Sequence, residues 1–152
     1  MNQLDTIRAF LTNREDVHFG SSGITFFQSK DISEASYGKT VAEKNGEGWQ
    51  ESWLVIAIDV YGDAILIDLT SPQLEVKSIG HDNGDFETTT IADSLENFQL
   101  ILDQLYTLQS SRPNWEDCYI NPITPEQRKP ILQAIQKANP KTKLFYWANF
   151  LS

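Results

Sequence analysis

Few side chains in this sequence are suited to acid–base or nucleophilic chemistry. Histidine is the usual general base near neutral pH, and the chain has two, His18 and His81. The single cysteine, Cys118, lies far from both along the chain. No glycine-rich phosphate loop, nucleophile elbow or His-Glu-x-x-His helix is present. We therefore predict that the chain is not an enzyme. The alternative is an uncharacterised enzyme using Cys118 or His81.

An oxygen-rich segment, His81-Asp82-Asn83-Gly84-Asp85, offers the ligand types that Ca²⁺ and Mg²⁺ prefer. It is too short for an EF-hand loop, which needs alternating ligands and a late bidentate Glu. Asp and Asn also favour turns, because their side chains hydrogen-bond to nearby backbone. A single cysteine excludes a Cys-based zinc site and an internal disulfide. We therefore predict no metal and no cofactor.

The charge of the chain, −9 in total, is unevenly distributed. Residues 1–110 have a net charge of −12, and residues 111–152 have a net charge of +3. Between Asp59 and Glu96, nine acidic residues accompany one basic residue, Lys77. A broad basic patch for nucleic acid is therefore not expected, because phosphates must be neutralised by Lys and Arg. The acidic segment is either a solvated surface or a face that steers a basic partner.

The predicted partner-binding residues are acids in the turns of this segment, together with a nearby tryptophan. Side chains at turn tips can reach a partner without disturbing a sheet, which favours Asp59, Asp63, Asp82 and Asp85. Trp49 follows a glycine-containing stretch, and an exposed tryptophan beside acidic residues is typical of a binding hot spot. The alternative for Trp49 is a packed side chain, as most tryptophans are.

Four apolar segments joined by short turns predict an antiparallel meander of at least four strands. The first, Trp53 to Ile58, is continuously apolar, as expected for a strand buried on both faces. The others are predicted at residues 64–69, 74–79 and 86–91. Residues 24–27 are rich in β-formers and are a further candidate strand.

Helices are predicted on either side of these strands in the sequence. Residues 2–14 have apolar residues at helical spacing, and a long helix is predicted from Asp93 to Gln109, with Asp93 and Glu96 as a capping box. A helical extension, residues 111–152, contains a helix starting at Thr124, a kink or restart at Pro130, and a final helix docked on the body. The fold class is therefore α+β in one domain, residues 1–152. The predicted core includes Ile56, Ile65, Ile67, Phe98, Ile101 and Leu105.

An ordered set of motifs over residues 49–102 resembles the SUKH superfamily, which includes bacterial immunity proteins and relatives of a fungal cell-wall synthesis regulator. The motifs are a tryptophan with an apolar strand, a Gly-Asp turn, a second apolar strand ending in Asp, a His- and Asp-rich turn, and an Ala-Asp-Ser helix start with an aromatic residue. They are Trp53 to Ile58, Gly62-Asp63, Ile65 to Asp68, His81 to Gly84, and Ala92-Asp93-Ser94 with Phe98. The family's N-terminal Leu-Pro pair and Asn-Gly-Gly turn are missing from residues 1–48.

The resemblance implies a SUKH-like domain with a non-enzymatic, protein-binding role. Bacterial members are similar to immunity proteins that neutralise polymorphic toxins, many of them nucleases or deaminases. A basic toxin domain would suit the acidic central segment. The alternative within the family is a regulatory or scaffold subunit. No run of about 18 apolar residues and no signal-peptide pattern occurs, so we expect a cytoplasmic protein with no membrane segment.

Overall fold

The computed structural model of the chain describes residues 2–32, 50–80 and 87–152. Within these ranges an α+β fold is formed by a curled, six-stranded antiparallel sheet and five helices. The strands are β1 (Val17–Phe19), β2 (Ser22–Phe26), β3 (Trp53–Asp59), β4 (Ala64–Asp68), β5 (Val76–Ile79) and β6 (Thr88–Ala92). The helices are α1 (Gln3–Leu11), α2 (Leu95–Ser110), α3 (Asp117–Ile120), α4 (Pro125–Ala138) and α5 (Phe145–Phe150), and a 3-10 turn spans Ser29–Asp31. The predicted meander is confirmed, because the strands follow one another in chain order across the sheet.

Strand β3 lies inside the sheet and is buried on both faces, as its continuous apolar sequence predicts. Leu54 and Ile56 join the main core, while Trp53 and Val55 join a smaller cluster on the other face. The register between β3 and β4 shifts after Val55, and the Ile56 carbonyl accepts a hydrogen bond from the backbone of Phe27. The register shift is a β-bulge in β3. Such a bulge bends a strand locally.

The main core lies between the sheet and helices α1, α2 and α5. Its aromatic centre is Phe98 of α2, whose ring stands 5.9 Å from Phe10 of α1, 6.3 Å from Phe26 of β2 and 6.3 Å from Trp147 of α5. All the predicted core residues are buried, and these are Ile56, Ile65, Ile67, Phe98, Ile101 and Leu105.

The N-cap of helix α2 lies one residue later than predicted. Ser94 is the N-cap, and its hydroxyl accepts a hydrogen bond from the backbone N–H of Asn97. Asp93 instead joins two distant segments, because its carboxylate accepts hydrogen bonds from the backbone N–H of Lys141 and the hydroxyl of Thr142. The capping-box prediction for Asp93 and Glu96 was therefore wrong.

The hairpin of β1 and β2 extends the predicted sheet at one edge. A two-residue loop, Gly20-Ser21, joins them, and Gly20 has the positive φ of 65° that a type II′ turn requires at its first position. The backbone N–H of His18 on β1 donates to the side chain of Gln109 from α2. The outer strand is thus tied to a helix as well as to β2.

The C-terminal helices include a capped helix and a docked one, as the sequence predicts. Thr124 and Gln127 form a reciprocal capping box at the start of α4, which continues through Pro130 without a restart. Trp147 of α5 is fully buried, and its indole N–H donates to the carbonyl of Ile91 on β6 at 2.7 Å. Among the described residues, no helix is both long and apolar enough to cross a membrane.

Candidate binding site at the β3–β4 turn

The turn between β3 and β4 is built around a glycine and a carboxylate. The backbone N–H of Gly62 donates to the carbonyl of Asp59, and the N–H of Asp59 donates to the carbonyl of Asp63. Gly62 has a φ of 84°, in the left-handed region that glycine adopts without strain. The hydrogen bond between Asp59 and Asp63 encloses a loop of three residues, 60–62. This is a common length for a hairpin with a left-handed glycine. Val60 and Tyr61 are held at its tip.

The Asp59 carboxylate fastens this turn to helix α5. One of its oxygens, Oδ1, accepts hydrogen bonds from the backbone N–H groups of Tyr61 and Asp63, both at 3.0 Å. The other, Oδ2, accepts a hydrogen bond from the Tyr146 hydroxyl at 3.2 Å. The Asp59 side chain is buried, at 7 % exposure. Asp59 therefore shapes the turn and its contact with α5 and does not project from the tip.

Burial raises the pKa of Asp59, and the nearby charge of Asp63 adds to that rise. The backbone N–H of Asp63, the N–H of Tyr61 and the hydroxyl of Tyr146 favour the ionised form and oppose the rise. Burial also raises the pKa of Tyr146 well above its usual value, and the charge of Asp59 acts in the same direction. Tyr146 thus keeps its proton and remains the donor in this pair.

We expect Asp59→Asn to change how stability depends on pH. A carboxyl whose pKa is raised in the folded state stabilises the fold below its unfolded pKa of about 3.9, and this contribution is lost as pH rises through the folded pKa. Removing the charge should make the variant gain stability relative to the parent protein as pH rises from about 4 to 7. Urea unfolding at several pH values measures this difference.

Asp68→Asn is the matched control, with the opposite sign. Burial acts to raise the pKa of Asp68, but it is outweighed by hydrogen bonds from Thr70 and by the charge of Lys77, so the pKa is lowered. Its stabilisation is present above the unfolded pKa and is lost as pH falls through the folded pKa. This variant should lose stability relative to the parent as pH rises. The same sign for both variants would contradict the assignment of Asp59.

A cleft of about 170 Å³ lies between the β3–β4 turn and α5. Its rim carries large apolar side chains that face solvent: Val60 is 54 % exposed, Tyr61 65 % and Phe145 54 %. Asp59 and Asp63 also line the cleft. The remaining lining residues are Gly23, Tyr146, Asn149 and Phe150. The cleft thus combines acidic groups with an exposed aromatic rim.

The topology places this turn at one end of the sheet together with two other connections. Ile24 of β2 is opposite Asp59, and Ala64 is opposite Ile79, which in turn is opposite Thr88. The β1–β2 loop, the end of β5 and the start of β6 therefore lie at the same end of the sheet as the β3–β4 turn. The β4–β5 turn and the start of α2 lie at the other end.

The predicted site residues are only partly brought together. Asp59 and Asp63 lie on the same cleft. Trp49, Asp82 and Asp85 lie outside the described residues, as does His81. Other acids of the central segment have interactions within the chain. They include Asp68 with Thr70 and Lys77, Glu75 with Thr90, and Asp93 with Lys141 and Thr142.

The surroundings of Cys118 concern the catalytic alternative predicted from the sequence. Burial raises the pKa of the Cys118 thiol, which disfavours the thiolate that a cysteine nucleophile needs. The ring of His18 packs against Trp115, with centroids 5.6 Å apart, and no hydrogen bond joins His18 to Cys118. No group of three or more His, Cys, Asp or Glu side chains in residues 2–32, 50–80 and 87–152 is placed to hold a metal ion.

Sequence reasoning missed the contribution of helix α5 to this cleft. Phe145, Tyr146 and Asn149 line it from a segment 87 residues away from Asp59, counted to Tyr146. The available signal was the aromatic run Phe145-Tyr146-Trp147, whereas the tail was predicted only to form a docked helix. Comparison with family models, with curated proteins and with solved structures finds no match to this chain.

Proposed function

We propose that this chain is a non-enzymatic protein-binding module that uses the cleft between the β3–β4 turn and α5. The observation that carries the proposal is the exposed apolar rim of Val60, Tyr61 and Phe145 around a partly acidic cleft. Exposed apolar patches edged by polar groups are characteristic of interaction sites in soluble proteins. Aromatic residues are also enriched at the cores of protein interfaces, and Tyr is among the residue types that dominate binding hot spots.

The rim is supported by rigid structure, which lowers the entropy cost of binding. The three-residue turn is fixed by the Asp59 carboxylate, and α5 is fixed by the buried indole of Trp147. Tyr61 and Phe145 are thus presented by two elements that are themselves tied together through Tyr146. Such preorganisation suits a binding protein whose surface keeps one shape before and after its partner arrives.

The specific role we propose is that of a cytoplasmic bacterial immunity protein that neutralises a basic toxin domain. This rests on the resemblance to the SUKH superfamily and on the net charge of −9. A negative surface would steer a basic nuclease or deaminase domain toward the cleft. A regulatory or scaffold subunit of the same superfamily is the second candidate, and it would use the same rim on a different partner.

The experiment is a pull-down with a toxin domain encoded by a neighbouring gene, followed by binding kinetics. We expect Tyr61→Ala and Phe145→Ala each to weaken binding at least about thirtyfold, as truncation of a hot-spot side chain does. Tyr119→Ala is the matched control, since Tyr119 is an equally exposed aromatic residue on α3. A partner that binds both rim variants as tightly as the parent would refute this surface.

The association rate should fall as salt rises, if the acidic residues steer the partner. The Debye length shrinks from about 10 Å at 0.1 M salt to about 3 Å at 1 M. Asp63→Asn, and substitutions of Asp82 and Asp85 by Asn, should slow association without changing the fold. Glu96→Gln removes the same charge at the opposite end of the sheet and should have a smaller effect. A rate that ignores salt and all these substitutions would exclude steering.

A further inference from the structure

We propose that the cleft between the β3–β4 turn and α5 binds one arginine side chain of the protein partner. The inference rests on the proposed function and adds the chemistry of the contact. A guanidinium would enter between the aromatic side chains of Tyr61, Phe145 and Tyr146 and approach the carboxylate of Asp59.

The size of the cleft suits one long side chain. Its volume of about 170 Å³ is similar to the roughly 150 Å³ of a protein cavity that takes a benzene-sized ligand. A flat guanidinium with part of its aliphatic stem has these dimensions. The apolar walls would contact the stem, which an arginine buries readily while its charged end reaches polar groups.

One of the residues that line the cleft, Asp59, has an acceptor that the fold leaves partly unused. The Asp59 carboxylate offers about four lone-pair directions, and it accepts three hydrogen bonds, from Tyr61, Asp63 and Tyr146. The unused direction belongs to Oδ2. Within the part of the chain that the structure describes, no Lys or Arg forms an ion pair with Asp59. A cation from outside would offset the cost of burying this charge.

The aromatic walls favour arginine over a compact ammonium group. A guanidinium is planar and weakly hydrated, and it stacks on aromatic rings while its N–H groups bind a carboxylate. Cations placed over the face of Tyr or Phe are also attracted by the ring electrons. Burial disfavours the ionised form of the Asp59 carboxyl. An arriving positive charge would favour that ionised form. An apolar side chain would leave the carboxylate buried without such compensation.

The test uses the full chain and a small probe, the tripeptide N-acetyl-Gly-Arg-Gly-amide, observed by amide chemical shifts. We expect shift changes confined to residues around the cleft, such as Gly23, Gly62 and Asn149, with a dissociation constant in the millimolar range. The same peptide with citrulline, which keeps the shape and loses the charge, should bind at least about tenfold more weakly. A lysine peptide should fall between the two.

Two variants test the acidic residues that line the cleft. Asp59→Asn keeps an acceptor for the turn and removes the charge, and Asp63→Asn removes the neighbouring charge without touching the backbone bonds of the turn. Each should weaken binding of the arginine peptide at least about tenfold, while Asp103→Asn on the exposed side of α2 should not. If Asp59→Asn does not fold, Asp63→Asn alone decides.

The possible outcomes separate this inference from the proposed function. Equal binding of the arginine and citrulline peptides, or shifts spread over other surfaces, would overturn the arginine site. Free arginine that binds more tightly than the blocked peptide would also overturn it, in favour of a small-molecule site. In either case the loss of partner binding by Tyr61→Ala would still support the protein-binding surface, so failure of the arginine site can be distinguished from failure of the proposed function.

Discussion

Replacing Phe98 with alanine is expected to lower the free energy of unfolding by about 3–5 kcal/mol, the usual cost of deleting a buried aromatic ring. Phe98 is fully buried. Its ring meets those of Phe10, Phe26 and Trp147, so four elements lose a shared contact when it is removed. The surroundings cannot close around the gap without moving both the sheet and the helices. Urea-induced unfolding followed by circular dichroism measures the loss.

Leu100→Ala is the control on the same helix. Leu100 is 49 % exposed, and alanine has a slightly higher helix propensity than leucine. Its effect on the free energy of unfolding should stay within about 0.5–1 kcal/mol. A loss below about 1 kcal/mol for Phe98→Ala would show that the core can repack and that Phe98 is not its centre.

Replacing Trp147 with alanine is expected to cost about 3–5 kcal/mol and to abolish partner binding. The indole fills the space between α5 and the sheet, and it also satisfies the carbonyl of Ile91 on β6. Without it α5 loses its anchor, so Phe145 and Tyr146 leave the cleft. Thermal or urea unfolding and the binding assay on the same preparation measure both effects.

Trp147→Phe separates the two contributions of the indole. It keeps most of the ring contact and removes the N–H donor, so its cost should be near the 1–3 kcal/mol of an unsatisfied buried carbonyl. Trp115→Ala is the control for tryptophan loss at the surface, since Trp115 is 43 % exposed. If Trp147→Ala kept full partner binding, α5 would not form part of the binding surface.

The central strands and α2 were predictable because their sequences admit few alternatives. Residues 53–58 are too continuously apolar for a surface loop, and the stripe of Phe98, Ile101 and Leu105 repeats at helical spacing. The β3–β4 turn has a glycine, Gly62, at the position where the backbone adopts a positive φ. Each of these signals is local, so it does not depend on which distant segments pack against it.

Strand β1 was missed for a local reason, and the cap of α2 was missed for a reason that lies in distant contacts. Three residues, Val17–Phe19, are too few to show a period of two, and the hairpin turn that follows them, Gly20-Ser21, is only two residues long. Asp93 and Ser94 are both good N-caps by type. The choice between them was decided by distant partners, since Lys141 and Thr142 engage the Asp93 carboxylate.

The cleft itself could not be predicted, because it joins residues that are far apart in the sequence. Asp59 has the same residue type and turn context as an exposed acid. In the fold its carboxylate accepts hydrogen bonds from the Tyr61 and Asp63 N–H groups and from the Tyr146 hydroxyl. The side chain is therefore used within the fold and is buried. Charge counting therefore indicated an acidic segment but gave no way to tell which acids are used within the fold.

The two outer strands have a consequence for self-association. On β1 the backbone N–H of His18 is taken by Gln109, and on β6 the carbonyl of Ile91 is taken by Trp147. An open sheet normally offers such main-chain groups to any extended peptide, which is how aggregation and strand exchange begin. Helix side chains occupy these groups here, and β1 is only three residues long. Within the described residues, each outer strand thus has one main-chain group occupied by a helix side chain, which reduces the template that it offers to another chain.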